Sequence, residues 1–363
     1  MHAGVVELAA GTFHTILVKK DGSVWSTGET ADARDKNFVQ VIPSGAMAAA
    51  AGTGYSIVLK QDGTVWTTGK ESKSQFSSFD GSTTSRRAFS VVKTITDAIA
   101  VAAGCYHNLV LTRKGHVWGT NWNKNGPFDG GLAYSDTKFV QLMSSGAKAV
   151  AAGDIHSIVL KQDGSVWATG RNYNGQLGDG LKTDRRKFVK VMPNGAVDVA
   201  AGGYHSMAIK QHGSVWATGW NEYGQLGDGS TTDRTDYAQV VSNGAKTIAA
   251  GSRHSMMLKQ DGSVWATGYN EYGQLGTGST TDSKTFVQVI PNGARALAAG
   301  AFHSMMLAQD GSIWATGSNQ HGQFGDGSTV SKRTFVRLAP FANGMRHNTI
   351  IHASLAFACS FSI

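Results

Sequence analysis

Six histidines occupy equivalent places in a chain that repeats itself, each three residues after an Ala-Ala-Gly run. They are His14, His107, His156, His205, His254 and His303, and the second copy carries Tyr55 at this place. A metal site needs several nitrogens within about 2.1 Å of one ion, whereas one histidine per repeat spreads the rings around a circumference. Because a repeated polar residue beside a tight turn usually satisfies backbone groups, the pattern predicts structural hydrogen bonds and no metal.

Aspartate and glutamate are the usual ligands of calcium and common acid–base catalysts, so their spacing in this chain tests both functions. Asp-Gly-Ser-Thr segments such as Asp228–Thr231 lack the spaced acidic ladder and the closing glutamate of an EF-hand loop, so turn formation explains them better. The chain has only five glutamates, and no HExxH, GxSxG, Walker or GxGxxG motif stands in the context that its chemistry needs. The sequence therefore predicts a protein that is not an enzyme and uses no cofactor.

A repeating unit positions these residues. One tryptophan, preceded by Ser-Val or a close variant, marks each of seven copies at Trp25, Trp66, Trp118, Trp167, Trp216, Trp265 and Trp314. From Trp118 to Trp314, each tryptophan of the repeat follows the previous one by 49 residues. A period near fifty is typical of the blades of a β-propeller.

Each copy contains four candidate strands. The first is small and ends in Ala-Ala-Gly, the second follows the histidine, the third carries the tryptophan, and the fourth is of the Phe-Val-Gln-Val type. Because blades taper toward the axis, the small first strand is predicted to be innermost. The tryptophan needs more room and is expected between neighbouring blades.

The predicted fold is all-β, a seven-bladed β-propeller of four-stranded antiparallel blades. Pairing of the N-terminal strand, Val5–Gly11, with the C-terminal strand, Phe335–Leu338, is expected to close the ring and to remove its open edges. Residues 1–340 are predicted to form this single domain, and residues 341–363 to be a tail outside the repeat. The apolar stretch Thr349–Ile363 is too short to predict a membrane span; an extra strand, a frayed tail and a truncation remain alternatives.

The direction of the strands predicts one variable face. If the Ala-Ala-Gly strand runs upward, the Gly-x-x-His turns and the Gly-Gln-Leu-Gly loops share the top, and the uniform Asp-Gly turns lie at the bottom. The top positions vary between copies and are rich in aromatic residues and arginine, the types that anchor protein interfaces; caps for the blade cores are the alternative. The candidate binding residues are Phe13, Tyr106, Trp122, Arg171, Tyr173, Tyr204, Trp220, Tyr223, Arg253, Tyr269, Tyr272, Phe302 and His321.

A second candidate surface is a basic rim. The net charge is +8, and ten bases lead into the fourth strands. A basic rim attracts nucleic acid or acidic protein, but a solvated edge that keeps the protein soluble is the favoured interpretation. The ten bases are Arg86, Arg87, Lys138, Arg185, Arg186, Lys187, Arg234, Lys284, Lys332 and Arg333.

The repeat resembles that of the regulator of chromosome condensation family. Three motifs carry the resemblance: Ala-Ala-Gly-x-x-His-Ser, Asp-Gly-x-Val-Trp-x-x-Gly and Asn-x-x-Gly-Gln-Leu-Gly, which recur in register in Ala151–Gly178, Ala200–Gly227 and Ala249–Gly276, with His212 in place of the Asp in the second of these. The resemblance covers about residues 5 to 340 and implies a seven-bladed β-propeller. The founding member of the family is a nucleotide-exchange factor for the small GTPase Ran and binds chromatin, and other relatives serve as protein-interaction modules.

These observations lead to three functional hypotheses. The favoured one is a protein-interaction scaffold that binds its partner through the variable top face. The alternatives are a guanine-nucleotide exchange factor for a Ran-like small GTPase and a chromatin or nucleic-acid binder. We expect a monomer without a membrane association. The N-terminus has no charged segment followed by an apolar core, so a cytoplasmic or nuclear location is expected.

Overall fold

Seven antiparallel sheets of four strands each make up the computed structural model, which describes residues 4–30, 33–69, 86–121 and 139–338. Each sheet is one blade and uses four strands that are consecutive in the chain, and a single turn of 3-10 helix covers Gln211–Gly213. The seven-bladed β-propeller predicted from the sequence is confirmed. The strands are β1 Val5–Ala10, β2 His14–Lys19, β3 Val24–Thr30, β4 Ala33–Ile42, β5 Ala46–Ala51, β6 Tyr55–Lys60, β7 Val65–Gly69, β8 Arg86–Val92, β9 Ala98–Ala103, β10 His107–Thr112, β11 Val117–Asn121, β12 Val140–Met143, β13 Ala147–Ala152, β14 His156–Lys161, β15 Val166–Gly170, β16 Arg185–Met192, β17 Ala196–Ala201, β18 His205–Lys210, β19 Val215–Gly219, β20 Arg234–Val241, β21 Ala245–Ala250, β22 His254–Lys259, β23 Val264–Gly268, β24 Ser283–Ile290, β25 Ala294–Ala299, β26 His303–Ala308, β27 Ile313–Gly317 and β28 Lys332–Arg337.

The small first strand of each blade lies innermost. The seven first strands, β1, β5, β9, β13, β17, β21 and β25, each contact the first strand of the neighbouring blade and so form a continuous inner ring. Their alanines are almost fully buried, as at Ala50 and Ala250. A methyl group is small enough for strands to approach closely around the axis, so residue size fixes which strand takes this place.

The repeated tryptophan packs between blades, as the sequence predicts. Trp265 of the sixth blade covers a cluster formed largely by the fifth blade, including Met207 and Leu226. In five blades a lysine at the end of the second strand places its ammonium over the ring, as Lys259 does at 4.1 Å from the centroid of Trp265. Such a contact contributes about 0.5–2 kcal/mol, depending on how far the cation is desolvated.

The bottom turns are built from the Asp-Gly-Ser-x-Trp run. At Asp261 a carboxylate oxygen accepts a hydrogen bond from the backbone N–H of Ser263 at 2.8 Å, and Trp265 donates its indole N–H to the Ser263 hydroxyl at 3.0 Å. Gly262 has φ +81°, a conformation that other residues rarely adopt. The turn therefore fixes the start of the tryptophan strand and repeats with little change between blades.

The ring closes differently from the prediction. The pairing of the two terminal strands is wrong, because β1 pairs with β2 and β28 with β27, each within its own blade. Seven complete blades use all 28 strands of the described residues, so none of these strands is left for a shared blade. The seventh blade packs instead against the first: Thr27 Oγ1 donates to the carbonyl of Gly322 at 2.8 Å, and Asn37 forms a backbone bridge with Asp326. Equivalent contacts join the fifth blade to the sixth, so the closing seam resembles the others.

Six of the seven fourth strands begin earlier than their Phe-Val pattern predicts, whereas β12 begins at Val140, one residue after Phe139. In the fourth blade β16 starts at Arg185, three residues before Phe188, because Arg185 pairs with Gly170 beyond a register shift. No helix in the described parts of the chain is long and apolar enough to cross a membrane. The predicted tail, residues 341–363, lies outside the described residues, and its boundary stays a prediction.

Candidate functional site

The top face is formed by two kinds of segment that hydrogen bonds hold together. In the fifth blade the backbone N–H of Trp220, which begins the long loop, donates to the carbonyl of Tyr204 in the Gly-x-x-His turn at 2.8 Å. Tyr269 donates to Arg253 in the same way at 2.9 Å in the sixth blade. The turn and the loop therefore share one edge of the propeller, as the strand directions predict.

Buried polar side chains give each long loop its shape. Asn221 accepts from the backbone N–H of Leu226 at 3.0 Å through Oδ1 and donates to Asp228 through Nδ2 at 3.0 Å. Gln225 accepts from the backbone N–H of Tyr223 at 3.0 Å. Asn221, Gln225 and Leu226 are fully buried, while Glu222 and Tyr223 between them reach the surface. The repeated residues of Asn-x-x-Gly-Gln-Leu-Gly thus hold the loop in shape from inside, and the residues that vary between blades lie at the surface of the top face.

The following blade anchors each loop from the other side. Ser255 of the sixth blade donates its hydroxyl proton to the carbonyl of Gln225 at 2.7 Å, and Thr267 donates to the carbonyl of Gly224 at 2.8 Å. The loop of one blade therefore lies at the seam with the next. Residues from neighbouring blades are brought into contact there.

The histidines complete this network and confirm the hydrogen-bonding interpretation. The Nε2 of His205 lies 2.8 Å from the Ser255 hydroxyl. Since that hydroxyl already donates to Gln225, it accepts from the imidazole, which assigns the proton of His205 to Nε2. The other five histidines make the same kind of contact with a serine or threonine of the next blade. Burial lowers the pKa of His205 to about 3, so the ring stays neutral.

The second and third blades show how the network accommodates an exception. Tyr55 replaces the histidine and donates its hydroxyl proton to the backbone carbonyl of Gly104 at 2.6 Å. It needs no hydroxyl partner on the third blade, where Asn108 stands in place of the serine and donates to Thr120 at 3.1 Å. The second blade thus lacks the histidine, and the third blade lacks the serine that would be its partner. The Tyr55 position alone does not predict the change at Asn108.

Eight of the predicted binding residues form one continuous row of rings, which we call the aromatic arc. Successive ring centroids lie 4.5 to 6.5 Å apart, and every ring of the arc is partly buried. The arc crosses the fifth, sixth and seventh blades and ends at the first. In order, its members are Tyr204, Trp220, Tyr223, Tyr269, Tyr272, Phe302, Phe13 and His321.

Arg253 lies against the middle of the aromatic arc. The guanidinium carbon is 5.5 Å from the ring centroids of Trp220 and Tyr223 and 5.6 Å from that of Tyr269. Three aromatic rings therefore surround one cation, within the distance at which the ring quadrupole attracts it. Nine of the thirteen predicted residues thus belong to a single patch.

The other predicted binding residues lie apart from this patch. Arg171 and Tyr173 contact each other on the fourth blade, and Arg171 forms an ion pair with Asp184 at 3.0 Å. Tyr106 is partly buried on the third blade, where burial and the charge of Asp154 raise its pKa. Trp122 lies outside the described residues. The binding role of all thirteen stays a prediction.

Aspartates of the Asp-Gly segments that follow Gly-Gln-Leu-Gly pair with bases of the rim in two blades. Asp228 accepts from the backbone N–H of Ser230 at 2.9 Å and from Arg234 Nε at 2.5 Å, which confirms the turn interpretation of this segment. Arg185 of the rim is likewise paired with Asp179 at 2.6 Å. Two rim bases therefore stabilise loops. In the described parts of the chain, no group of three His, Cys, Asp or Glu side chains is placed to hold a metal ion.

Three glutamates near the aromatic arc escaped the sequence reasoning. Glu222 and Glu271 are exposed at loop positions beside arc residues, and Glu271 accepts a hydrogen bond from the Tyr269 hydroxyl. Glu29 lies 2.5 Å from His321 Nδ1, across the seam between the first and seventh blades. For Glu222 and Glu271, the position between two aromatic loop residues was the available signal. Burial, followed by the hydrogen bond to Glu271, raises the pKa of Tyr269.

The fold and the face define a class of protein: a closed seven-bladed propeller that displays variable residues on one edge of an invariant frame. The comparisons with known proteins agree with this class. The family model for the RCC1-like domain matches residues 30–362, and the chain belongs to this family. No curated protein matches the chain by sequence.

Several solved structures share the fold at low sequence identity. Yeast RCC1 (Prp20), in its complex with Kap60, has a TM-score of 0.77 and 17% identity over 94% of this chain and 86% of that chain. Prp20p from Saccharomyces cerevisiae, studied for its binding to Gsp1p and histones, has a TM-score of 0.75 and 18% identity over 94% and 88%. Human WBSCR16 has a TM-score of 0.72 and 20% identity over 86% and 89%. These likenesses show the fold alone.

Proposed function

We propose that the chain is a non-enzymatic interaction scaffold that binds a protein partner through the aromatic arc. The observation that carries the proposal is the row of eight partly exposed rings, three of which surround Arg253. Tyrosine, tryptophan and arginine dominate the energetics of protein interfaces, because they bury much surface and also offer polar contacts.

The frame beneath the arc supports this function. The loops are fixed by buried Asn221 and Gln225 and by donors from the next blade, so their rings are held in place before a partner arrives. A pre-organised surface loses less conformational entropy on binding. The uniform bottom turns offer no comparable variation between blades.

The proposal is tested by replacing Trp220, Tyr223 and Tyr272 with alanine in one variant and measuring partner capture from native extract. We expect capture to be lost, with a cooperative unfolding transition retained at a lowered melting temperature, because each lost ring contact stabilises the fold by about 0.5–1.5 kcal/mol. Tyr173→Ala is the matched control: this exposed tyrosine lies outside the arc, and its removal should leave capture unchanged. Capture that survives the triple variant would contradict the proposal.

Nucleotide exchange on a Ran-like small GTPase is the second candidate. It is favoured by the likeness to Prp20p, which was studied for binding to Gsp1p. The test is release of labelled GDP from Ran at micromolar concentrations of the propeller. Acceleration of release would support exchange, and an unchanged release rate would remove it. Binding to chromatin is less favoured, because the rim bases Arg185 and Arg234 are paired with aspartates.

A further inference from the structure

We propose that Arg253 binds a single carboxylate, set among apolar residues, of the protein partner. The inference rests on the proposed function and specifies its chemistry. Arg253 belongs to the Gly-x-x-His turn between β21 and β22, at the centre of the aromatic arc.

The guanidinium of Arg253 differs from those of three other arginines of the top edge. Arg171, Arg185 and Arg234 each form an ion pair with an aspartate at 2.5 to 3.0 Å. Arg253 forms no ion pair within the described parts of the chain, and its buried Nε has no hydrogen-bond partner there. A partly desolvated cation to which the described residues supply no counter-charge is a site for an anion.

The rings around Arg253 hold its side chain in one place, which favours the binding of a carboxylate. Trp220, Tyr223 and Tyr269 restrict the side chain, so little rotamer entropy is lost when the guanidinium binds. Its planar set of N–H donors matches the two oxygens of a carboxylate. The rings also exclude water, which strengthens the interaction between the charges.

Two features favour a protein carboxylate over a nucleic acid. The arc rings from Tyr204 to Phe302 meet at interplanar angles of 59° to 85°, so they pack against one another rather than presenting parallel open faces for bases. The exposed carboxylates of Glu222 and Glu271 lie on the flanking loops. Their negative charges repel a phosphate backbone, which carries a charge on every nucleotide, more strongly than they repel a single carboxylate.

The test uses a displayed library of random twelve-residue peptides, selected on the full chain. Enriched peptides are measured by fluorescence anisotropy against the wild type, Arg253→Met, Arg253→Lys and the triple arc variant. We expect enriched peptides to share an Asp or Glu beside apolar residues, and Glu→Gln or Asp→Asn in the peptide to weaken binding at least about tenfold. Arg253→Met should weaken binding by a similar factor, and Arg253→Lys should restore only part of it because lysine lacks the planar fork.

Separate outcomes distinguish this inference from the function on which it rests. Peptides that need the arc but bind Arg253→Met as tightly as the wild type, while that variant unfolds cooperatively, would overturn the carboxylate site and leave the scaffold function intact. Enriched peptides without a shared acid would do the same. Peptides that bind the triple arc variant unchanged, or no enrichment at all, would count against both. Tighter binding of a dT12 oligonucleotide than of any peptide would replace the acidic partner by nucleic acid.

Discussion

At the scale of residues, the histidines could bind a metal ion or transfer protons, but their role in this protein is structural. The six histidines donate from Nε2 to hydroxyl groups of the next blade or lie at hydrogen-bond distance from them, and burial keeps them neutral. The sequence predicted this role because one histidine per blade cannot form a compact metal site. It did not reveal the partner of each ring, because a contact between blades joins residues 42 to 50 positions apart, or 288 at the closing seam.

Acid should destabilise the propeller through these histidines. Their folded-state pKa is lowered from 6.5 to about 3, or to about 4 for His14, chiefly by burial. Below pH 6.5 the unfolded chain binds more protons, so the stabilisation present above pH 6.5 is lost as the pH falls toward the folded pKa. Each histidine contributes about 1.4 kcal/mol per pH unit within this window. Urea unfolding between pH 7.5 and 5 measures the slope.

A neutral replacement supplies the control for this pH dependence. His205→Gln retains a side-chain donor and removes one titrating group, so the slope should fall by the contribution of about one proton. A free energy of unfolding that does not change between pH 7 and pH 5 would contradict the buried, neutral state of the histidines.

At the scale of elements, the repeat predicted the strands, but it did not predict the contacts between loops of neighbouring blades. The period of the tryptophans, the Asp-Gly turns and the alternation of small and large strands were sufficient for the blades. The aromatic arc was predicted only as a set of scattered candidates. Its continuity depends on the seam, where the ring of Tyr223 in one blade lies 4.8 Å from that of Tyr269 in the next, and this distance is not encoded by spacing within a repeat.

Ser255 in β22 contacts His205 in β18 and the loop that contains Gln225, so its replacement should destabilise the fold. Ser255→Ala deprives the carbonyl of Gln225 of a donor and His205 Nε2 of an acceptor, both in a buried site. We expect a loss of about 1–3 kcal/mol in the free energy of unfolding, measured by urea titration. Ser242→Ala, at an exposed position, is the matched control and should change stability by less than about 0.5 kcal/mol. Equal effects of the two substitutions would show that the seam network adds little.

At the scale of the whole molecule, the seam between the first and seventh blades completes the ring. The sequence could not distinguish this closure from a blade shared by both termini, because both arrangements use the same strands and the same period. The deciding contacts are cross-blade ones: His303 Nε2 lies 3.0 Å from Thr15 Oγ1, just as His205 lies 2.8 Å from Ser255. The last seam therefore repeats the internal seams.

Double-mutant cycles test the equivalence of the seams. His303→Ala with Thr15→Val probes the closing seam, and His205→Ala with Ser255→Ala probes an internal one. We expect the two coupling energies, from urea unfolding, to agree within about 0.5 kcal/mol, because the geometry is the same. Coupling at the internal seam without coupling at the closing seam would refute this closure.

The central claim is that a partner is bound by the aromatic arc, and site-specific photocrosslinking in native extract tests it most directly. A benzophenone amino acid is introduced at Tyr223 in the arc or at Gln260, an exposed position at the bottom turn. Tyr223 is partly exposed and aromatic like its replacement, and Gln260 serves as the matched control. We predict a partner adduct from position 223 and none from position 260; an adduct from position 260 with none from position 223 would contradict the account.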